Sequence, residues 1–300
     1  MSTKRNKTKK GSEEKMIIGN KERYVNPYTD FGFKKLFGTE LNKDLLISFL
    51  NALFKGQKEI TDLTYINTEH LGERITDRKA VYDVYCQLAD GSKMIVEMQK
   101  AEQAFFKDCC IYYSTYPIRE QAPVGPWDYH LENVYTIGIL NFVFPDNEYP
   151  GENFIHEIKL KDVEDNHVFY DKLTFIYLEM PKFNKREDEL ETMFDKWLFA
   201  LSNLTRLLER PKALQERIFS RLFEQAEIAH FTLEEQREYV ASKKEYWDNY
   251  SIVKTAHDKG RAEGRAEERI ENARNLKANG VQLDVIAKSL GLTIEEIENL

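Results

Sequence analysis

Residues 79–99 read KAVYDVYCQLADGSKMIVEMQ. Two runs rich in Val, Ile and Tyr, 79–88 and 93–99, flank Ala89-Asp90-Gly91-Ser92. β-prone runs on either side of Asp-Gly are the pattern of a β-hairpin. Asp83 interrupts the first run, and Glu97 and Gln99 interrupt the second. Residues two apart on a strand share a face, so Glu97 and Gln99 project together. The face taken by Asp83 depends on the turn. A three-residue loop, Asp90-Gly91-Ser92, pairs Ala89 with Lys93, Tyr85 with Glu97 and Asp83 with Gln99, and all these side chains then share a face. A two-residue loop sets Asp83 opposite Met98, on the other face from Glu97. A shared site therefore demands an odd loop length or a bulge.

Two carboxylates brought within a few ångströms resist ionising together unless a cation neutralises them. Hard oxygen ligands without His or Cys point to Mg2+ or Mn2+, ions that activate water and clamp a phosphoryl oxygen. The same residue types also occur on any strand with one wet face, so the spacing alone leaves both readings open.

Outward from the hairpin, Phe33, Leu36, Phe37, Leu41, Leu45, Leu46, Phe49, Leu50 and Leu53 recur at spacings of three and four, which predicts one amphipathic helix over 30–54 or two broken near Gly38. An extended segment follows around 60–68. The pattern over 101–121 is helical, and strands are expected over 134–144, 154–163 and 168–180. From residue 188 the chain reads as helix nearly to its end. Within it, Lys259-Gly260-Arg261-Ala262-Glu263-Gly264-Arg265-Ala266-Glu267 repeats with a step of four, one helical turn. That step puts Gly260 and Gly264 on one face, a surface suited to a partner helix and to a homodimer through the C-terminal helices. No Lys-Ser/Thr pair follows the glycines, which argues against a nucleotide loop.

The 300 residues carry 43 Lys and Arg against 51 Asp and Glu, a net charge of −8, and are 42% hydrophobic with 18 Phe and 16 Tyr. That composition suits a globular, sheet-containing chain. Its acidity argues mildly against a protein coated in nucleic acid, although a bound metal inverts the local field. Residues 1–24 hold eight Lys or Arg against three Glu, a basic arm that either touches DNA or merely solubilises. No run is long enough to span a membrane and no secretory signal is visible, so a soluble, cytoplasmic protein is expected. Cys86, Cys109 and Cys110 have neither disulfide nor zinc spacing, and Cys86 reads as a small buried hydrophobe.

The string from Ile75 to Cys86, with Asp83 inside it, followed by Ile95-Val96-Glu97-Met98-Gln99, resembles the PD-(D/E)XK nuclease family transposases. These are also called the recombination-promoting nuclease or putative transposase family of bacteria. Tyr28-Thr29-Asp30-Phe31-Gly32-Phe33-Lys34-Lys35-Leu36-Phe37-Gly38 is similar to that family's opening helix. Tyr135-Thr136-Ile137-Gly138-Ile139-Leu140-Asn141-Phe142 is similar to its next core strand, and the likeness spans roughly 24–270. It implies an α/β, restriction-endonuclease-like mixed sheet flanked by helices, followed by a helical C-terminal region, and a Mg2+- or Mn2+-dependent DNA endonuclease. Asp83 and Glu97 would be the motif acids that bind metal, and Gln99 stands where the motif has Lys. The family also carries Gln at that position. Lys can activate an attacking water electrostatically, whereas Gln can only hydrogen-bond it. Lys100, on the opposite face, offers no obvious replacement. Asp30 is a candidate third metal acid, or simply the acid that a helix N-terminus favours. The alternative is a catalytically weak or silent relative that binds DNA or acts as a dimeric interaction protein.

Near the C-terminus, an apolar helix ending at Gly291 precedes Thr293, which caps a second helix with Glu296 three residues on. The cadence is that of a helix-turn-helix, but TIEEIENL has no Lys or Arg to meet phosphates, which favours a packing or dimerising tail. The expected division is a basic arm over 1–24, a nuclease core over 25–187, a helical extension over 188–258 and a helical tail over 259–300.

Overall fold

The computed structural model describes residues 22–67, 69 and 70, 80–122, 125–145 and 149–300. Most of the basic arm and the stretch Ile75 to Lys79 of the family-like string lie outside the described residues. In chain order the elements are α1 (Asp30–Phe37), α2 (Lys43–Phe54), β1 (Leu63–Tyr65), β2 (Glu69–His70), β3 (Ala80–Val81), β4 (Val84–Leu88), β5 (Lys93–Gln99), α3 (Phe106–Arg119), β6 (Val134–Leu140), β7 (Ile155–Lys161), β8 (Val168–Glu179), α4 (Met193–Asn203), α5 (Arg217–Ala226), α6 (Leu233–Ala278), α7 (Leu283–Leu290) and α8 (Ile294–Glu298). The break in the first amphipathic segment falls at Gly38, as its pattern suggests, with a short 3-10 turn at Glu40–Asn42 between the helices.

β4 and β5 form the expected hairpin, but its loop is Ala89-Asp90-Gly91 and not Asp90-Gly91-Ser92. The Leu88 N–H donates to the Ser92 carbonyl at 2.9 Å and the Gly91 N–H to the Leu88 carbonyl at 3.0 Å. The third position of such a loop takes a left-handed conformation that glycine accepts without strain. Gly91 sits there at φ 87°, which draws Ser92 into the ladder. Val84 therefore pairs with Val96 and Tyr85 with Ile95. Tyr85 does not face Glu97, nor Asp83 Gln99; continued by one residue, this register sets Asp83 opposite Glu97. The pairing is displaced by two positions, which leaves parity, and so the shared face, intact.

The hairpin seeds a six-stranded mixed sheet in the order β1-β4-β5-β6-β8-β7. β5, β6 and β8 run parallel, while β1 pairs with β4 and β7 with β8 antiparallel. Parallel neighbours need a crossover, and α3 supplies the one between β5 and β6. Alternation along the hairpin divides the core. Val84, Cys86, Leu88, Met94, Val96 and Met98 join Phe33, Phe37, Phe49, Trp197 and Phe219 from α1, α2, α4 and α5 in one apolar cluster. On the other face, Tyr85 and Ile95 meet Tyr82 and Tyr116, and Leu140 and Tyr177 meet Phe106 and Cys110 of α3. The structure is thus an α/β mixed sheet flanked by helices and followed by a helical C-terminal region.

The chain divides into a unit ending at Tyr246 and a second unit, Trp247–Leu300. Helices α4 and α5 share the core of the sheet, so they belong to the first unit. The second unit has its own small core of Ala273, Ile286 and Ile297. There Thr293 and Glu296 form the expected capping box, and Lys277 donates to the Ile297 and Glu298 carbonyls at the end of α8. Ile297 is fully buried, while Glu295, Glu296 and Glu298 face solvent. Among the described residues, no helix is long and apolar enough to cross a membrane.

Candidate metal centre

Two pieces of chain build the site: the start of α1 and the open end of the hairpin. The Asn26 side chain accepts from the Tyr28 N–H at 2.9 Å, an Asx turn that aims the chain into the helix. Thr29 is the N-cap, accepting from the Gly32 N–H at 3.1 Å and donating to the Asn26 carbonyl at 2.7 Å. α6 holds the same turn from outside: the Asn26 N–H donates to the Tyr239 hydroxyl and the Phe31 N–H to the Ser242 hydroxyl, both at 3.1 Å. Asp30 is therefore presented from a fixed first turn. One turn further, the Lys34 ammonium binds its carboxylate at 2.9 Å.

At the hairpin end, the Asp83 carboxylate accepts the Met98 N–H at 2.8 Å. The Asp83 backbone N–H in turn supports the Glu97 carboxylate. The two acids lock each other across the last rung of the ladder. Glu97 Oε1 is sealed from solvent and has no hydrogen-bond partner. Burial pushes the Asp83 carboxyl up; the Met98 bond opposes that shift, Asp30 adds to it, and Lys34 and Lys100 lower it. Burial and then the charge of Asp83 hold Glu97 well above the usual glutamate range, with Lys34 again opposing. For Lys34 itself, burial disfavours the charge, but Asp30 first and then Asp83 and Glu97 outweigh it and raise its affinity for the proton.

Of the residues singled out in the sequence, the structure brings Asp83 and Glu97 together with the charges of Asp30 and Lys34 around them. Gln99 lies on the face of Glu97, two residues on, with its Nε2 donating to the Ala101 carbonyl at 3.1 Å. Tyr85 shares that face, but its hydroxyl is bound to Glu120 of the α3 end at 2.5 Å, which makes it a packing residue. Lys100 was set aside because it alternates to the opposite face, yet its charge bears on Asp83. A charge acts through space whichever face its side chain takes, and Lys100 directly follows the last residue of β5. Lys34 was missed altogether. Its only sequence signal is its place four residues after Asp30.

Among the described residues, no three His, Cys, Asp or Glu side chains gather closely enough to cage a metal by themselves. The donor set nevertheless fits a hard divalent cation. Two facing carboxylates disfavour joint ionisation when empty, and one offers a buried oxygen with nothing bound to it. Mg2+ is commonly held by one or two carboxylates, with water or phosphate oxygens completing the shell.

No curated protein and no solved structure matches the chain. The family model for PD-(D/E)XK nuclease family transposases matches residues 27–256, a span that takes in α1, the hairpin, the whole sheet and the first turns of α6. The acid pair on the hairpin end is thus set in a matched region covering most of the chain, and this chain belongs to the PD-(D/E)XK nuclease family transposases.

Proposed function

We propose that the chain is a divalent-metal-dependent DNA endonuclease that hydrolyses phosphodiester bonds. The observation that carries this reading is the Asp83–Glu97 pair with its unpartnered Glu97 oxygen. Asp83 and Glu97 would hold Mg2+ or Mn2+, with Asp30 the third acid in their field. When bound, such an ion lowers the pKa of water and neutralises charge on a phosphoryl oxygen. Asp83 is oriented by its bond to Met98, so its free oxygen is the one available to the ion. Gln99, with Nε2 committed to Ala101, can accept a hydrogen bond from a water through Oε1 and so orient it without withdrawing charge. Membership of the family supports DNA as substrate.

The test is nicking of supercoiled plasmid in Mg2+ or Mn2+ by wild type and Asp83→Ala. Wild type is expected to convert the plasmid, and the variant to fall by at least about a hundredfold, since a catalytic metal contributes several kcal/mol to the barrier. Equal rates in the two proteins sink the enzyme reading. They would favour a silent DNA-binding or dimeric relative, a reading that rests on Gln99 in the motif Lys position. Self-association through the C-terminal helices belongs to the same proposal, because Gly260 and Gly264 stand exposed on α6 with open space around them. Light scattering of the full chain is expected to give a dimer that Gly264→Lys reduces to monomer; an unchanged mass in the variant removes those glycines from the interface.

A further inference from the structure

We infer that the cavity beyond the ends of β5 and β6 takes one unpaired base of the DNA strand, a base that carries an exocyclic amine. The favoured substrate then has an extruded or single-stranded nucleotide beside the cut. The inference rests on the nuclease reading above, which supplies DNA as the substrate. The cavity holds about 230 Å3 and lies between the chain that leaves β5 and the chain that leaves β6. Both walls start at Gln99. Its Nε2 donates to the Ala101 carbonyl at 3.1 Å, and its own carbonyl accepts the Asn141 N–H at 2.9 Å. From there Glu102, Gln103 and Ala104 line one side and Phe142 and Phe144 the other, with Asp108 from the first turn of α3. Phe106, at the cavity floor, packs on Leu140 and Tyr177, so this is the face of the sheet on which Glu97 and Gln99 project. Gln99 lies two residues beyond Glu97, about 7 Å along the strand. A base in the cavity therefore belongs to a nucleotide next to the phosphate at the acid pair. The carboxyl ends of parallel strands are also where an open α/β sheet leaves room for a ligand.

The lining selects the ligand. Phe142 is half-buried and stands edge-on to Phe106 and Phe144, with ring centroids 5.7 and 5.8 Å apart. The Lys107 ammonium lies 5.4 Å from the centroids of both Phe144 and Tyr149 and closes the aromatic wall from outside. Such a wall suits the face of any base. The polar side chooses the edge. Glu102, Gln103 and Asp108 are exposed and offer acceptors. Two carboxylates repel a phosphate, but they accept from the amine of cytosine or adenine, which thymine lacks. The wall is also fixed from behind. The Phe144 N–H donates to Glu179, whose carboxylate also takes His156 Nε2 at 2.9 Å and the Lys182 ammonium at 2.7 Å, with none of the Glu179 side chain exposed. Desolvation offsets most of the attraction in so deep a pair, and what the network supplies is a set place for Phe144. A base stacked in a duplex cannot enter such a cavity. It must be extruded or already single-stranded.

The experiment measures binding of labelled duplexes by fluorescence anisotropy in metal-free buffer, where nothing is cut. The duplexes are identical except for a single bulged cytosine, thymine or abasic site. Wild type, Phe142→Ala and Ala104→Leu are compared as full chains. For wild type the cytosine bulge is expected to bind about tenfold tighter than the abasic bulge, the contribution of stacking on an aromatic wall. It should bind about fivefold tighter than the thymine bulge, because only cytosine offers an amine to the carboxylates. Both variants should bring the bulges to within about twofold of one another. Ala104 is exposed, so Ala104→Leu fills the cavity without touching the core and decides the matter if Phe142→Ala fails to fold. A cytosine bulge held no tighter than an abasic one shows that the chain reads deformability alone and overturns the inference. Thymine held as tightly as cytosine overturns it too, as does an undiminished preference in Ala104→Leu. A wild type that keeps the cytosine preference yet nicks no plasmid in Mg2+ or Mn2+ sinks the nuclease reading and leaves the base site standing. A wild type that binds none of the duplexes overturns both.

Discussion

Gly32→Ala is expected to cost about 3 kcal/mol or more, because it adds an overpacking penalty to the loss of a helix cap. A Cβ on Gly32 would lie 2.0 Å from the Asn26 carbonyl oxygen and 2.8 Å from Thr29 Oγ1. The first contact is with backbone and cannot be relieved by turning a side chain. Relief requires the Asn26 turn to retreat, and the same movement breaks the bonds of Asn26 to Thr29 and Tyr239. Asp30 and Lys34 then lose their fixed place. Gly260→Ala is the internal comparison: with nothing within 4 Å of its Cβ, the substitution should stabilise its helix by up to about 1 kcal/mol. Chemical denaturation of both variants reads the two signs. A Gly32→Ala midpoint at or above wild type would show that the turn is free to move, and the account of how Asp30 and Lys34 are positioned would fall.

Glu97→Gln is expected to strengthen the fold and abolish cleavage at once. The buried, unpartnered carboxylate oxygen carries a desolvation cost of about 1–3 kcal/mol. A glutamine amide in its place can donate to the Asp83 carboxylate. The pH dependence follows from the direction of the shift. Burial, and then the charge of Asp83, hold the folded-state value of Glu97 well above its usual 4.5, so the folded chain keeps this proton to higher pH than the unfolded chain does. Stability is therefore unpenalised below about pH 4.5 and is lost as pH rises from there through the folded-state value. The variant should gain over wild type at pH 8, and the gain should vanish near pH 4. Mg2+ should raise the wild-type melting temperature at pH 8 and leave that of the variant nearly unmoved, since a ligand stabilises only the state that binds it. Equal melting curves for the two proteins at pH 8 would contradict a strained acid pair.

The sequence carried the hairpin because its signals are local. Alternation of Val, Ile and Tyr about Asp-Gly names both strands and puts Glu97 and Gln99 on one face, while Asp83 joins them only because the loop has an odd number of residues. The exact register was one step less legible. It turns on which residue takes the left-handed position, and Gly91 rather than Ser92 decides that. The site's electrostatics were legible only in part. Asp83 and Glu97 announce themselves by interrupting apolar runs, whereas Lys34 lies in a different element and looks like an ordinary helix-surface residue until the fold brings its charge to bear on both acids. Lys100 shows the limit of counting faces, because a charge acts through space whichever face its side chain takes. The bounds of α6, 46 residues from Leu233 to Ala278, were likewise not legible within a stretch that reads as helix nearly to its end, because few apolar positions mark its exposed middle.

The bond from the Met98 N–H to Asp83 also bears on how a lineage of such proteins can drift. Asp83 closes the hairpin whether or not any DNA is cut, so a descendant that had abandoned cleavage would still be under pressure to keep an acceptor there. Glu97 is different. Its carboxylate takes the Asp83 N–H, but its Oε1 is buried without a partner, so a lineage freed from catalysis would gain by replacing the acid with its amide. Among relatives of this chain, a retained glutamate at that position would therefore be a sharper sign of a working enzyme than the aspartate beside it.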